Sequence, residues 1–172
     1  MKSITFIRHG EAENGGREPD RERTLTKKGK NDAIIMGRVI SATLNLPDLF
    51  LCSPAKRALK TAKRITKELG LPKEFITEDS RLYTADLEVF NDIASGFEDS
   101  IAHVYLCGHN PALLDLVNHF SETGINTLPP GGVVNLVFEI DKWEELSKGK
   151  GILQLYDFPE RHYDPEILGA TV

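Results

Sequence analysis

The sequence predicts an α/β fold, a three-layer α/β/α sandwich around a mostly parallel sheet. Two observations carry that reading. Short apolar, β-branched runs alternate along the chain with longer segments of helical periodicity, the pattern of strand–helix–strand units. The helical segments also carry start and stop signals, with serine, threonine or asparagine at the beginning and glycine at an end.

The strands come first. Residues 3–8 (SITFIR) form a short buried run that stops at Gly10, and residues 48–52 (DLFLC) and 103–107 (HVYLC) read the same way. Residues 133–140 and 152–158 are later, longer strands. Between them, Thr26 caps a helix running to Thr43, with Ala33, Met36, Gly37 and Ile40 on one face. A second helix starts at Ser53-Pro54, serine capping and proline tolerated in the first turn, and ends at Gly70. Ala58, Leu59, Ala62, Ile65 and Leu69 follow helical spacing along it. Residues 86–97 predict a third helix. Asn110-Pro111 opens a fourth, with Leu113, Leu114, Val117 and Phe120 facing inward.

There is no repeat, low-complexity tract or linker, so residues 1–172 read as a single domain. Residues 159–172 have weak periodicity and read as an extended C-terminal arm. The chain is 40% hydrophobic and 27% charged, enough for a sizeable core. Its 21 basic and 26 acidic residues leave −5, which argues against bulk nucleic-acid binding. The N-terminal apolar run is too short for a secretory signal or a membrane span, so a cytoplasmic protein is expected, with no membrane partner. Cys52 and Cys107 sit in apolar runs without a CxxC or Cys/His cluster, and read as core residues rather than a disulfide or zinc ligands.

In open α/β sheets, ligands bind beyond the carboxyl ends of the strands. After the first strand come Arg8-His9-Gly10. After the second comes Ser53-Pro54, with Arg57 a helical turn further on. After the third come Gly108-His109-Asn110-Pro111. Two arginines aimed at one point suit a tetrahedral oxyanion, because guanidinium forks match phosphate oxygens and stay charged. Two helix starts add free N–H groups. No GxxxxGK[ST] is present, so this is a phosphate pocket without a P-loop. A neutral histidine there can take a phosphoryl group as nucleophile, and a second histidine, if protonated, can stabilise the equatorial oxygens.

These residues carry a resemblance. Residues 6–12 (FIRHGEA) resemble the opening motif of the histidine phosphatase superfamily, which has the phosphoglycerate mutase-like fold. Leu25-Thr26-x-x-Gly29 resembles its L-T-x-x-G helix entry, and residues 53–62 (SPAKRALKTA) its S-P-x-x-R-A-x-Q-T-A. Gly108-His109-Asn110-Pro111, Leu82-Tyr83 and Pro130-Gly131-Gly132 resemble the short SixA-type branch of phosphohistidine phosphatases. The resemblance runs from about residue 4 to residue 140, in order. It implies His9 as the nucleophile, Arg8 and Arg57 as the phosphoryl clamp, and His109 completing the pocket. It implies no metal and no cofactor, and a sulfate or inorganic phosphate between the two arginines. Asn14 is a further phosphate-binding candidate, although its spacing from His9 differs from the family's asparagine.

The sequence departs from the pattern in two places. Lys60 replaces the usual glutamine. No segment aligns with the acidic proton donor of larger members, leaving Glu11, Asp86 and Glu88 as candidates. An oxygen ester expels an alkoxide that needs an acid, whereas a phosphohistidine expels an imidazole that leaves once its ring is protonated. The expected function is therefore a metal-independent phosphohydrolase acting on a phosphohistidine-bearing signalling or phosphotransfer protein. The alternatives are a small-molecule phosphomonoesterase of the same superfamily and a catalytically silent phosphate-binding module. Lys56, Lys60, Lys63 and Lys67 form a basic stripe, read either as a solvated face or as a docking surface for an acidic phosphoprotein domain.

Overall fold

The computed structural model describes residues 1–163. Four helices and six strands alternate: β1 (Lys2–Arg8), α1 (Lys27–Thr43), β2 (Leu49–Cys52), α2 (Lys56–Glu68), β3 (Ile76–Glu78), α3 (Leu87–Ser95), β4 (His103–Gly108), α4 (Ala112–Phe120), β5 (Val133–Phe138) and β6 (Ile152–Asp157). The strands form one sheet in the order β3-β2-β4-β1-β5-β6. The pairs β3–β2, β2–β4 and β4–β1 are parallel, and β5 runs antiparallel to both of its neighbours. The sheet is thus mostly parallel, as expected from the sequence. Strand β3 was not expected. It is three residues long, and Thr77 and Glu78 are exposed at the sheet edge, so no apolar run announces it.

Successive side chains of a strand point to opposite faces, and this builds two cores. Ile4, Phe6, Leu51, Val104 and Leu106 pack with Phe90 of α3 and Leu113, Leu116, Val117 and Phe120 of α4. Ile7, Phe50, Cys52, Tyr105 and Cys107 point the other way, onto Met36 and Ile40 of α1 and Ala58, Ala62 and Ile65 of α2. The result is three layers. Cys52 and Cys107 are buried free thiols.

Local chemistry sets the helix ends. The Thr26 hydroxyl accepts from the Gly29 N–H at 2.9 Å and caps α1 as the sequence predicts. Helix α2 begins at Lys56, later than expected, with Ala55 at its cap position and no capping side chain. Ser53 does not cap it in the expected way, because its hydroxyl faces His109. Asp86 caps α3 through the Val89 N–H. On α4 the buried stripe is Leu113, Leu116, Val117 and Phe120, so Leu116 takes the inward place expected of Leu114.

Residues 159–162 form a single helical turn rather than an extended arm. The Tyr163 hydroxyl donates to Asp32 of α1 at 2.7 Å, and Lys28 holds the other oxygen of that carboxylate at 2.7 Å. The rest of the expected arm, residues 164–172, lies outside the described residues. Among the described residues no helix is long and apolar enough to cross a membrane.

Candidate active site

The sheet itself assembles the site. Arg8 of β1 lies opposite Gly108 of β4, and Cys52 of β2 lies opposite Cys107. Residues 8–9, 53 and 108–109 therefore leave the sheet side by side. Backbone bonds secure them: the His9 N–H donates to the Gly108 carbonyl at 3.1 Å, and the Gly131 N–H to the His9 carbonyl at 3.0 Å. Helices α1 and α2 pack on one face and α4 on the other, so β1 and β4 flank the point where the winding reverses.

Two motif glycines share one contact. A Cβ on Gly29 would lie 2.1 Å from the Glu11 carbonyl oxygen, and one on Gly10 would lie 2.8 Å from the Gly29 carbonyl oxygen. The loop carrying His9 thus rests directly on the first turn of α1. The Gly10 N–H also donates to Thr61 of α2, whose hydroxyl donates back to the Arg57 carbonyl.

Four expected residues come together. The His9 and His109 rings lie 5.1 Å apart between centroids. His9 Nδ1 is 2.7 Å from the Gly10 carbonyl, which can only accept, so Nδ1 carries the proton and Nε2 the lone pair. The Arg57 Nε–H donates toward that lone pair at 3.3 Å. Arg57 is buried, at 6% exposure, and its Nη2 also points to His109 Nδ1 at 3.4 Å. His109 Nε2 pairs with the buried Ser53 hydroxyl at 2.7 Å. Arg8 Nη1 donates to the Leu128 carbonyl at 2.8 Å, and Asn110 donates to the same oxygen at 3.0 Å. Arg8 Nε is buried without a partner, a donor that an oxyanion would satisfy.

Burial governs the titration here. Burial, and behind it the charges of His109, Arg57 and Arg8, push His9 down to about 3 against the opposing Gly10 hydrogen bond. Burial and then Arg57 push His109 down to about 4, although Asp20 opposes this. At neutral pH burial and Arg57 therefore keep His109, the second histidine considered from sequence, neutral. A phosphoryl dianion would add the opposite charge to this surrounding.

Sequence reasoning missed Asp20. Its main-chain oxygen accepts from Arg57 Nη1 at 2.7 Å and its carboxylate from Nη2 at 2.9 Å. The same carboxylate accepts from the Tyr83 hydroxyl and from Arg23. Tyr83, Arg23 and then Arg57 hold it well below the usual carboxylate range. Tyr83 also meets the His109 ring edge-on, with centroids 5.6 Å apart. Asp20 sits in a loop whose path only the folded chain defines. Its one sequence signal is its closeness to the L-T-x-x-G entry.

The remaining candidates do not join the cluster. Asn14 is exposed, and no hydrogen bond links it to Arg8, His9, Arg57 or His109. The Glu11 carboxylate accepts from the Thr26 hydroxyl at 2.8 Å, fastening the loop to α1. Asp86 caps α3, and Glu88 is exposed in its first turn. The basic stripe is partly consumed within the molecule: Lys56 pairs with Glu22 and Lys60 with Thr24, which ties α2 to the Asp20 segment. Among the described residues no group of three or more His, Cys, Asp or Glu side chains is placed to hold a metal ion.

Comparison with known proteins bears on the family and the fold. Residues 4–93 match the model of the histidine phosphatase superfamily, branch 1. A protein histidine phosphatase SixA, solved with tungstate, superposes with a TM-score of 0.78 at 18% identity over 94% of this chain and 99% of the other. A protein assigned as phosphohistidine phosphatase SixA of Agrobacterium tumefaciens gives 0.76 at 21% identity over 92% and 98%. A mycobacterial glucosyl-3-phosphoglycerate phosphatase, solved with inorganic phosphate, gives 0.63 at 14% identity over 95% and 100%. No curated protein matches the chain.

Proposed function

The chain belongs to the histidine phosphatase superfamily and is a phosphatase, a hydrolase of phosphoryl groups; from that premise we propose that it removes phosphate from phosphohistidine carried by a protein, with His9 as nucleophile. The single observation that carries the substrate class is the state of the carboxylate at the pocket. Asp20 is held ionised by Tyr83, Arg23 and Arg57, so it has no proton to give a departing alkoxide at neutral pH. A substrate whose leaving group is a ring nitrogen does not need that proton.

The chemistry follows from the tautomer. The His9 Nε2 lone pair attacks phosphorus while the substrate P–N bond breaks, and the electron pair leaves with an imidazole already protonated at its other nitrogen. Water then attacks phosphorus from the vacated side, the bond to Nε2 breaks, and orthophosphate departs. Arg8 and Arg57 hold the equatorial oxygens through both steps, His109 joins them once the charge of the arriving dianion has protonated it, and the free first-turn N–H groups of uncapped α2 add partial positive charge. The Arg57 Nε–H bond to His9 is exchanged for a phosphoryl oxygen when substrate arrives. The SixA structures of the same fold support the reading, and the charges of the buried Arg57 and the half-buried Arg8 suit the inorganic phosphate it would release.

The test is phosphate release from a phosphohistidine-bearing protein and from para-nitrophenyl phosphate, with a metal chelator present. Release from the protein is expected to exceed release from the ester, and His9→Ala is expected to abolish both. Efficient cleavage of the ester with none of the phosphoprotein would move the assignment to a small-molecule phosphomonoesterase. Release unaffected by His9→Ala would overturn the nucleophile.

A further inference from the structure

On the His109 side the pocket opens into a groove of about 520 Å³. His109 and Tyr83 both line it, so it adjoins the proposed catalytic cluster. One wall is a face of α4, where Ala112, Leu116 and His119 recur at helical spacing; the other is the segment leading into α3. Leu87, Pro111 and Leu116 make part of the lining apolar. Asp86 and Asp115 both line it and are exposed, and no lysine or arginine lines it. Neither carboxylate has an ion-pair partner among the described residues. Asp115 makes no side-chain hydrogen bond among them either, so its charge is available to a ligand.

We propose that this groove receives the polypeptide flanking the phosphohistidine of a protein substrate and selects a lysine or arginine close to it in sequence. The proposal rests on the phosphohistidine reading above and specifies which phosphohistidines are accepted. Reach supports it. Ala112 to His119 spans roughly 10 Å of helix, the length of about three extended residues. Chemistry supports it as well. The apolar wall suits the methylene stem of a basic side chain, while Asp86 and Asp115 suit its charged head. An acidic flank would face two like charges with no lysine or arginine among the lining residues to relieve them. Free phosphate or a small ester would leave the groove unused.

The test uses three peptides of equal length, each bearing one phosphohistidine. They differ by lysine, alanine or glutamate at the third position on either side. Free phosphohistidine is run alongside, with His9→Ala as the blank for spontaneous hydrolysis. For the wild type, kcat/KM for the lysine peptide is expected to exceed that for the glutamate peptide by about fivefold, the upper end for an exposed charge contact. In Asp115→Lys this ratio is expected to fall to about one or to invert, with Asp115→Asn between. A ratio within one protein is insensitive to how much of it is folded. Turnover of free phosphohistidine and all three peptides at equal kcat/KM would overturn the groove and leave the phosphohistidine reading standing. No turnover of any phosphohistidine substrate would overturn that reading and the groove with it. A ratio unchanged in Asp115→Lys would also overturn the groove.

Discussion

At the scale of the residue, the proposed catalysis turns on two histidines that burial and two arginines hold neutral before substrate arrives. His9 is pushed down to about 3 and His109 to about 4, both below the usual 6.5 of the side chain. The sign for stability follows. The folded state resists protonation where the unfolded state accepts it, so stability contributed by these groups is complete above pH 6.5. It is lost as pH falls from 6.5 toward about 3. NMR titration of the two imidazoles in the anion-free protein is expected to show both midpoints below pH 5. A midpoint near 6.5 for His9 would contradict the burial argument. His9→Gln is expected to flatten the acid side of the stability profile measured by urea unfolding. Ser53 makes a second prediction at this scale. Its hydroxyl fixes the His109 ring through Nε2, so Ser53→Ala is expected to lower kcat more than it raises KM, by about tenfold. Stability is expected to change little, and an unchanged kcat would remove Ser53 from the account. Arg8, His9, Arg57 and His109 were legible in the sequence because each ends a strand, directly follows one or lies in the first turn of a helix. Asp20 and the bond between Ser53 and His109 were not, because each contact joins residues tens of positions apart.

At the scale of the element, the L-T-x-x-G entry and the loop after β1 are one structure. Gly29 has no room for a side chain, because the nearest atoms are backbone atoms of Glu11. Gly29→Ala must displace that loop or the start of α1, and is expected to cost about 1–3 kcal/mol in urea unfolding, the usual range for overpacking. Activity is expected to fall further than stability, since His9 moves with the loop. Gly16→Ala is the control, with nothing within 4 Å of its Cβ position, and is expected to stay within about 0.5 kcal/mol. Equal effects at both positions would sink the contact argument. Alternation and periodicity made β1, β2, β4, β5, β6 and all four helices legible. Strand β3 was invisible because a short edge strand buries too little to need an apolar run. The start of α2 was misplaced because Ser53, a good capping residue, serves the site instead.

At the scale of the molecule, the sheet order brings three strand ends to one place, and their opposite helix layers leave the pocket between them. The order itself was not readable. Sequence patterning gives the faces of a strand, but β4 inserting between β2 and β1 depends on long-range pairing. Among the described residues the pocket lies beside a groove lined by Asp86 and Asp115, which suits the proposed phosphate carried on a protein.

The central claim is covalent transfer to His9, and mass spectrometry of the enzyme during turnover tests it most directly. The enzyme would be mixed with a phosphohistidine-bearing protein, quenched under alkaline conditions that preserve phosphohistidine, and cleaved with trypsin. The account predicts phosphate on the peptide of residues 9–17 during turnover and its absence once substrate is exhausted. Steady phosphate release with that peptide never modified would contradict it.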